Sequence, residues 1–301
     1  MLACSRIPMR TTLLVLAWSL TQGPVAETPP RAAEFVVLQE GTLPLVLSAP
    51  HGGTHKPATA PGRTRGVTTL DGGTRELSLC VADELERLLH ARPFVVATSI
   101  HRSKVDLNRA EADATEVDGL GAQVWREYHA ALERATKAAR KLRDGRALVI
   151  DVHGHAHEEP LVELGFALDA QQLALDDETL ARERWFGEER VDVPWVRGAR
   201  SLGARLAEAG LPALPCPTRP HPDGKPYFNG GYIVRRHRDA TLRAVQLEFP
   251  PAARAREHRA ETAAQVARAL AEVLADWYPE PAPAGKSTGT QSVGAKSSGT
   301  K

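Results

Sequence analysis

A chain of 301 residues with an apolar fraction of 42% is long enough to bury one substantial core. Lysine and arginine (38) nearly balance aspartate and glutamate (37), leaving a net charge of +1, so no global field draws the chain to nucleic acid or an acidic membrane and any charge selectivity must be local. Three cysteines without metal-finger spacing exclude a disulfide scaffold and a zinc finger.

In chain order, Arg6 and Arg10 precede the apolar run Leu13 to Leu20 and small residues ending near Ala26, the layout of a secretory signal peptide over residues 1–26, with the start at Met1 or Met9 left open. This predicts a secreted or periplasmic protein. No run is long enough to span a bilayer, so no membrane span is expected in the mature chain. Cys4 leaves with the leader; Cys80 and Cys216 either pair or, as the apolar helical pattern around Cys80 favours, pack in the core.

One folded domain is expected over residues 33–278. Apolar, β-branched runs at Phe35 to Leu38, Leu43 to Leu47, Phe94 to Ile100, Ala147 to Val152, Tyr232 to Val234 and Ala244 to Phe249 predict strands. Helical stripes fall between and after them: Leu77, Val81, Leu85, Leu88 and Leu89; then Val124, Tyr128, Ala131, Leu132 and Ala135; and a last helix from about Arg259 to Trp277. Strand alternating with helix predicts the α/β class, a single three-layer α/β/α domain around a mostly parallel mixed sheet. The stretch from Leu202 to Asn229, rich in proline, reads as a long loop, and residues 279–301 as a disordered tail.

Polar residues just past the carboxyl ends of strands converge on one crevice in such sheets. His51 follows one strand and is followed by Gly52 and Gly53, which let backbone approach a ligand; His55 is close behind. Asp71 and Thr74 stand at the entry to the first long helix with Glu76, as helix caps or as ligand oxygens. Asp151, His153, His155 and His157 alternate at the end of an apolar strand, so they share one face, where His153 suits a metal and Asp151 could orient it. Arg102, Asn108 and Arg109 offer donors for a carboxylate or a polarised carbonyl, and Tyr232 with Arg235 follows a glycine pair. Glu248 lies between apolar neighbours on a strand that reads as buried, so it must be paired, metal-bound or functional.

The succession Ser48-Ala49-Pro50-His51-Gly52-Gly53, Asp71 with Thr74 and Glu76, Asp106-Leu107-Asn108-Arg109, Asp151-Val152-His153, Asn229-Gly230-Gly231-Tyr232-Ile233 and Gln246-Leu247-Glu248 resembles the N-formylglutamate amidohydrolase family. Three of these blocks also resemble zinc carboxypeptidases and aspartoacylases. The resemblance implies a zinc-exopeptidase-like (phosphorylase/hydrolase-like) fold and a zinc cofactor held by His51, Glu76 and His153. It implies Glu248 as general base, Arg102 as oxyanion stabiliser, Asn108 and Arg109 on a substrate carboxylate, and Tyr232 and Arg235 at the substrate rim. His55 stays open as a rival to His51, and Asp71 as a rival to Glu76, because the His-x-x-Glu spacing of carboxypeptidases is absent. The implied partner is a small-molecule N-acyl amino acid or short peptide. An exported carboxypeptidase or amidase, and a metal- and carboxylate-binding protein without turnover, are the other readings.

Overall fold

Side-chain alternation along the central strands decides both where the core lies and where polar groups collect. The computed structural model describes residues 31–279; the leader expected over 1–26 and all but the first residue of the expected tail lie outside the described residues. Seven strands form one sheet: β1 (Val36–Gln39), β2 (Leu45–Ala49), β3 (Phe94–Thr98), β4 (Ala147–Gly154), β5 (Val162–Gly165), β6 (Ala213–Leu214) and β7 (Leu242–Phe249). Their spatial order is β1-β3-β2-β4-β7-β5-β6. The four central strands, β3, β2, β4 and β7, are mutually parallel, while β1 pairs antiparallel with β3 and β5 antiparallel with β7. This is the mixed, mostly parallel sheet of the α/β class that the alternation of elements predicts.

Three long helices complete the layers: α1 (Thr74–Leu89), α2 (Leu120–Lys141) and α3 (Arg259–Trp277). On one face of the sheet, Leu45, Leu47, Leu148, Ile150, Val245 and Leu247 pack with Leu77, Val81 and Leu85 of α1 and Val266, Leu270 and Val273 of α3. On the other, Val46, Val96, Val149 and Ala244 meet Val124, Tyr128, Leu132 and Ala135 of α2. Periodicity of 2 in the strands and of 3.6 in the helices thus meets face to face.

Further along the α2 face the alternation continues with polar residues in place of apolar ones. Val46 gives way to Ser48, Val149 to Asp151 and His153, and Ala244 to Gln246 and Glu248, all buried. Tyr128 of α2 lies at this boundary: its hydroxyl is 2.9 Å from Ser48 Oγ and donates to the Val96 carbonyl, while Ser48 donates to Asp151 Oδ1 at 2.8 Å. Buried polar groups are therefore satisfied where the core ends and the crevice begins.

Two local expectations are corrected. Tyr232 to Val234 is no strand but the start of a short helix, Tyr232–Arg236, because the Asn108 side chain accepts the Ile233 N–H at 2.8 Å and so satisfies a first-turn donor. The expected loop from Leu202 to Asn229 contains the helix Leu202–Glu208, capped by Ser201, and strand β6. Cys80 and Cys216 are both free, the first half-buried and the second buried. Among the described residues no helix is long and apolar enough to cross a membrane.

Candidate active site

The carboxyl ends of β2 and β4 bring His51 and His153 together from 102 residues apart, with their Nδ1 atoms 3.1 Å from each other. Asp71, in the loop before α1, completes the group: its Oδ2 is 3.1 Å from His153 Nδ1 and 3.4 Å from His51 Nδ1. All three side chains are buried. An ion held by imidazole nitrogen and carboxylate oxygen at about 2.0–2.1 Å in a tetrahedron separates its ligand atoms by about 3.3 Å, which these edges match.

The far side of each ring fixes its tautomer. His51 Nε2 is 2.7 Å from Asp106 Oδ1, and His153 Nε2 is 2.8 Å from Asp151 Oδ2. A carboxylate on Nε2 draws the ring proton there and leaves the Nδ1 lone pair for a metal, the usual outer arrangement of a metal-bound histidine. Two imidazole lone pairs and a carboxylate oxygen then face one point, where the one N–H donor is that of Gly154, 3.3 Å from Asp71 Oδ2. That donor set fits a divalent metal ion.

Burial pushes the carboxyl of Asp71 up, but the rings of His153 and His51, when protonated on both nitrogens, outweigh it by hydrogen bonding and hold the group well below the usual carboxylate range. Burial acts the same way on Asp106, where it is outweighed by His51 and by the guanidinium groups of Arg102 and Arg63. Arg102 ties the two carboxylates together, with Nη1 3.2 Å from Asp71 Oδ1 and Nε 3.3 Å from Asp106 Oδ2. Arg109 also reaches Asp106 Oδ2 at 3.3 Å, with 46% of its side chain exposed.

Glu248, on β7, is the register partner of His153 on β4 and so stands beside it on the same face. It is buried, and Gln246 Nε2 donates to its Oε1 at 2.7 Å. Burial, opposed by the charge of His153, pushes its pKa up to about 7. A cavity of about 850 Å³ opens over this group, lined by His51, Asp71, Arg102, His153 and Glu248 and bounded by Arg109, Tyr232 and Arg235.

The other expected residues fall as follows. Glu76 is not brought to the metal group: the first turn of α1 carries it outward, 41% exposed, beside Arg75 at 3.5 Å, and the loop carboxylate of Asp71 takes the position instead. Asp71 does not cap α1, whose N-cap is Gly73 with no side-chain hydrogen bond. His55 is exposed and bridges to Ile100, away from His51. Asn108 lines the cavity, but its amide is committed, donating to Gln246 Oε1 at 3.2 Å and accepting from Ile233 N, so it binds elements together. The Tyr232 hydroxyl accepts from Arg236 at 2.9 Å, and Arg235 donates to the Gly230 carbonyl at 2.5 Å. Gly52 and Gly53 make room for protein, not ligand: a Cβ would lie 2.5 Å from Arg75 N at the first and 2.2 Å from the Ile100 carbonyl at the second. Asp106, the partner of His51, is absent from the sequence-based set of site residues, although it opens the Asp-Leu-Asn-Arg run.

An α/β domain with a histidine–carboxylate centre at the carboxyl ends of parallel strands defines the class as a hydrolase-like α/β protein. The family model described as N-formylglutamate amidohydrolase matches residues 111–253 of this chain. That span holds His153, Tyr232, Arg235 and Glu248, whereas His51, Asp71 and Arg102 join the site through the fold. The gene product Atu2144 from Agrobacterium tumefaciens is similar in structure, at 13% identity and TM-score 0.48 over 80% of this chain and 95% of that one. YNDL in its zinc-free apo form is similar at 18% identity and TM-score 0.36, over 84% and 94% of the two chains. A candidate metallopeptidase from Shewanella amazonensis SB2B is similar at 13% identity and TM-score 0.38, over 81% and 82%. Likenesses of this size leave the fold to be read from the chain itself. Among curated proteins, none matches the sequence.

Proposed function

We propose that the protein is an exported, zinc-dependent amidohydrolase that cleaves an amide bond in an N-acyl amino acid or short peptide carrying a carboxylate. The observation that carries this reading is the meeting of His51 Nδ1, His153 Nδ1 and Asp71 Oδ2 at 3.1–3.4 Å beside the buried carboxyl of Glu248. These three residues would hold zinc, which when bound activates a water molecule and polarises the scissile carbonyl.

Glu248 is the general base. Its Oε1 is fixed by Gln246, which leaves Oε2 to take the proton of the attacking water and pass it to the leaving amine. Arg102, anchored by Asp71 and Asp106, presents its remaining guanidinium hydrogens to the oxyanion that develops on the carbonyl oxygen. Arg109 and Arg235 supply the fork of donors for the substrate carboxylate, with Tyr232 at the rim; Asn108 shapes the floor rather than gripping the substrate. Asp106 and Asp151 hold the two imidazoles in the ligating tautomer.

The test is metal analysis of the purified protein together with a screen of N-acyl amino acids and dipeptides. About one equivalent of zinc and release of free amino acid, abolished by chelation and restored by zinc, is the expected result. Full activity after the metal has been stripped would overturn the reading. Export rests on the leader pattern and is checked by sequencing the N-terminus of the protein recovered outside the cytoplasm.

A further inference from the structure

Beyond Glu248 the same cavity carries a second histidine–carboxylate pair that the mechanism above does not use. His157 Nδ1 is 2.6 Å from Glu163 Oε1, and Glu163 Oε2 accepts the backbone N–H of Phe228 at 2.8 Å. The ring of Phe228 stacks on that of His157, with centroids 4.7 Å apart and planes within 9°. Both rings line the cavity, His157 with 23% of its side chain exposed and Phe228 with 44% of the residue exposed.

His155, His157 and Glu163 come close enough to suggest another metal group, with candidate ligand atoms within 4.8 Å of one another. Hydrogen bonding argues otherwise. His155 gives its Nε2–H to the Leu161 carbonyl at 2.8 Å, and its one lone pair, on Nδ1, accepts the N–H of His157 at 3.0 Å. Glu163 has a partner on each oxygen. What remains free is a single atom, Nε2 of His157: because the carboxylate of Glu163 draws the ring proton to Nδ1, Nε2 presents a lone pair to the cavity.

Its position is set by the sheet. His153 on β4, Glu248 on β7 and Glu163 on β5 are successive register partners, so metal group, base and Glu163 form a row with steps of about 4.8 Å. The guanidinium groups of Arg102 and Arg109, held by Asp106, belong to the opposite side of the metal group, where His51 and the segment after β3 lie. On the proposed amidohydrolase reading, on which this step rests, the carboxylate-bearing amine lies toward the arginines and the acyl portion extends past Glu248 toward His157. A formyl group ends at its own carbonyl carbon and has nothing to offer there.

We propose that His157, oriented by Glu163 and stacked on Phe228, is a substrate-binding residue that accepts an N–H from the acyl portion, so that aminoacyl or peptidyl amides are preferred over formyl amides. The test is calorimetric titration of the zinc-loaded full chain carrying Glu248→Gln, which blocks turnover, with alanylglutamate, N-propionylglutamate and N-formylglutamate. The first two differ only in the amino group. Alanylglutamate should bind about tenfold more tightly than N-propionylglutamate, the size of one well-made hydrogen bond to a shielded partner. Adding His157→Ala, or His157→Phe, which keeps the stack but not the lone pair, should abolish the difference, with thermal melts confirming that each variant folds. Equal affinity for the two ligands, a difference that survives both variants, or binding of none of the three would overturn the proposal. Wild-type turnover separates the two claims: the expected binding pattern without hydrolysis sinks the hydrolase reading alone, whereas hydrolysis of N-formylglutamate without the pattern sinks the role of His157 alone.

Discussion

Asp71 and Glu76 are five residues apart and chemically alike, yet only one can serve a metal here, because the loop turns the first inward and the helix turns the second outward. Asp71→Asn should therefore strip the protein of bound metal, measured by elemental analysis, and lower activity at least about a hundredfold, as loss of a ligand does; Glu76→Gln should leave both within about twofold. The reverse pattern would return Glu76 to the site. Glu248→Gln should retain the metal while lowering kcat by about 10²–10⁴, the range of a general base. His51, His153 and Glu248 were legible in the sequence because each stands on or just past an apolar strand, where a polar residue has to be explained. Asp71 was legible only as an alternative: a loop carboxylate has no periodicity, and its direction depends on contacts with β2 and β4, such as its N–H donating to the His51 carbonyl, that no spacing rule encodes. Asp106 was hidden for a related reason, since its partner His51 lies 55 residues away, just past the end of β2.

Elements are held around the site by close backbone approaches that only glycine permits. A Cβ at Gly231 would lie 2.1 Å from Asn108 Nδ2, and Asn108 in turn bridges Gln246 on β7 and the helix Tyr232–Arg236. Gly231→Ala should cost about 1–3 kcal/mol by overpacking, read as a lower midpoint in urea, and should lower activity further because Gln246 positions Glu248; Gly119→Ala, where open space surrounds the new methyl, is the control. The glycine pairs stood out in the sequence, but their use did not: they read as sites of close approach to a ligand, and the approach is to protein. Five of the seven strands of the sheet and the three long helices are legible because their apolar residues recur with the period of the element. β5, whose short run is broken by Glu163 and Gly165, and β6, two residues long, carry too little apolar pattern to register, and Tyr232 to Val234 reads as a strand from its β-branched content although a distant asparagine satisfies the start of a helix there.

The layer between α2 and the sheet contains a cost that appears in acid. His129 on α2 and His237 after the helix Tyr232–Arg236 are both buried, their rings parallel with centroids 6.3 Å apart. Among the described residues, His129 Nδ1 and His237 Nε2 have no hydrogen-bond partner, and burial pushes both pKa values down to about 4 from 6.5. The unfolded chain therefore takes up these protons near pH 6.5 and the folded chain only near pH 4. Between those values the unfolded state binds more protons, so their contribution to stability is complete above pH 6.5 and is lost as the pH falls toward 4, by about 3 kcal/mol for each ring. Glu248 acts in the opposite sense: its raised pKa means that the folded state gains its proton first, which offsets part of the loss between about pH 7 and pH 4.5. Comparison with a variant isolates the histidine term. His237→Leu removes one of the two groups, so its loss of unfolding free energy between about pH 7 and pH 4 should be smaller than that of the wild type by about 3 kcal/mol, measured by urea unfolding at each pH. Parallel pH profiles for the two proteins would mean that His237 reaches a proton or a water in the folded state, and that the packing of α2 on the sheet is not what limits the protein in acid.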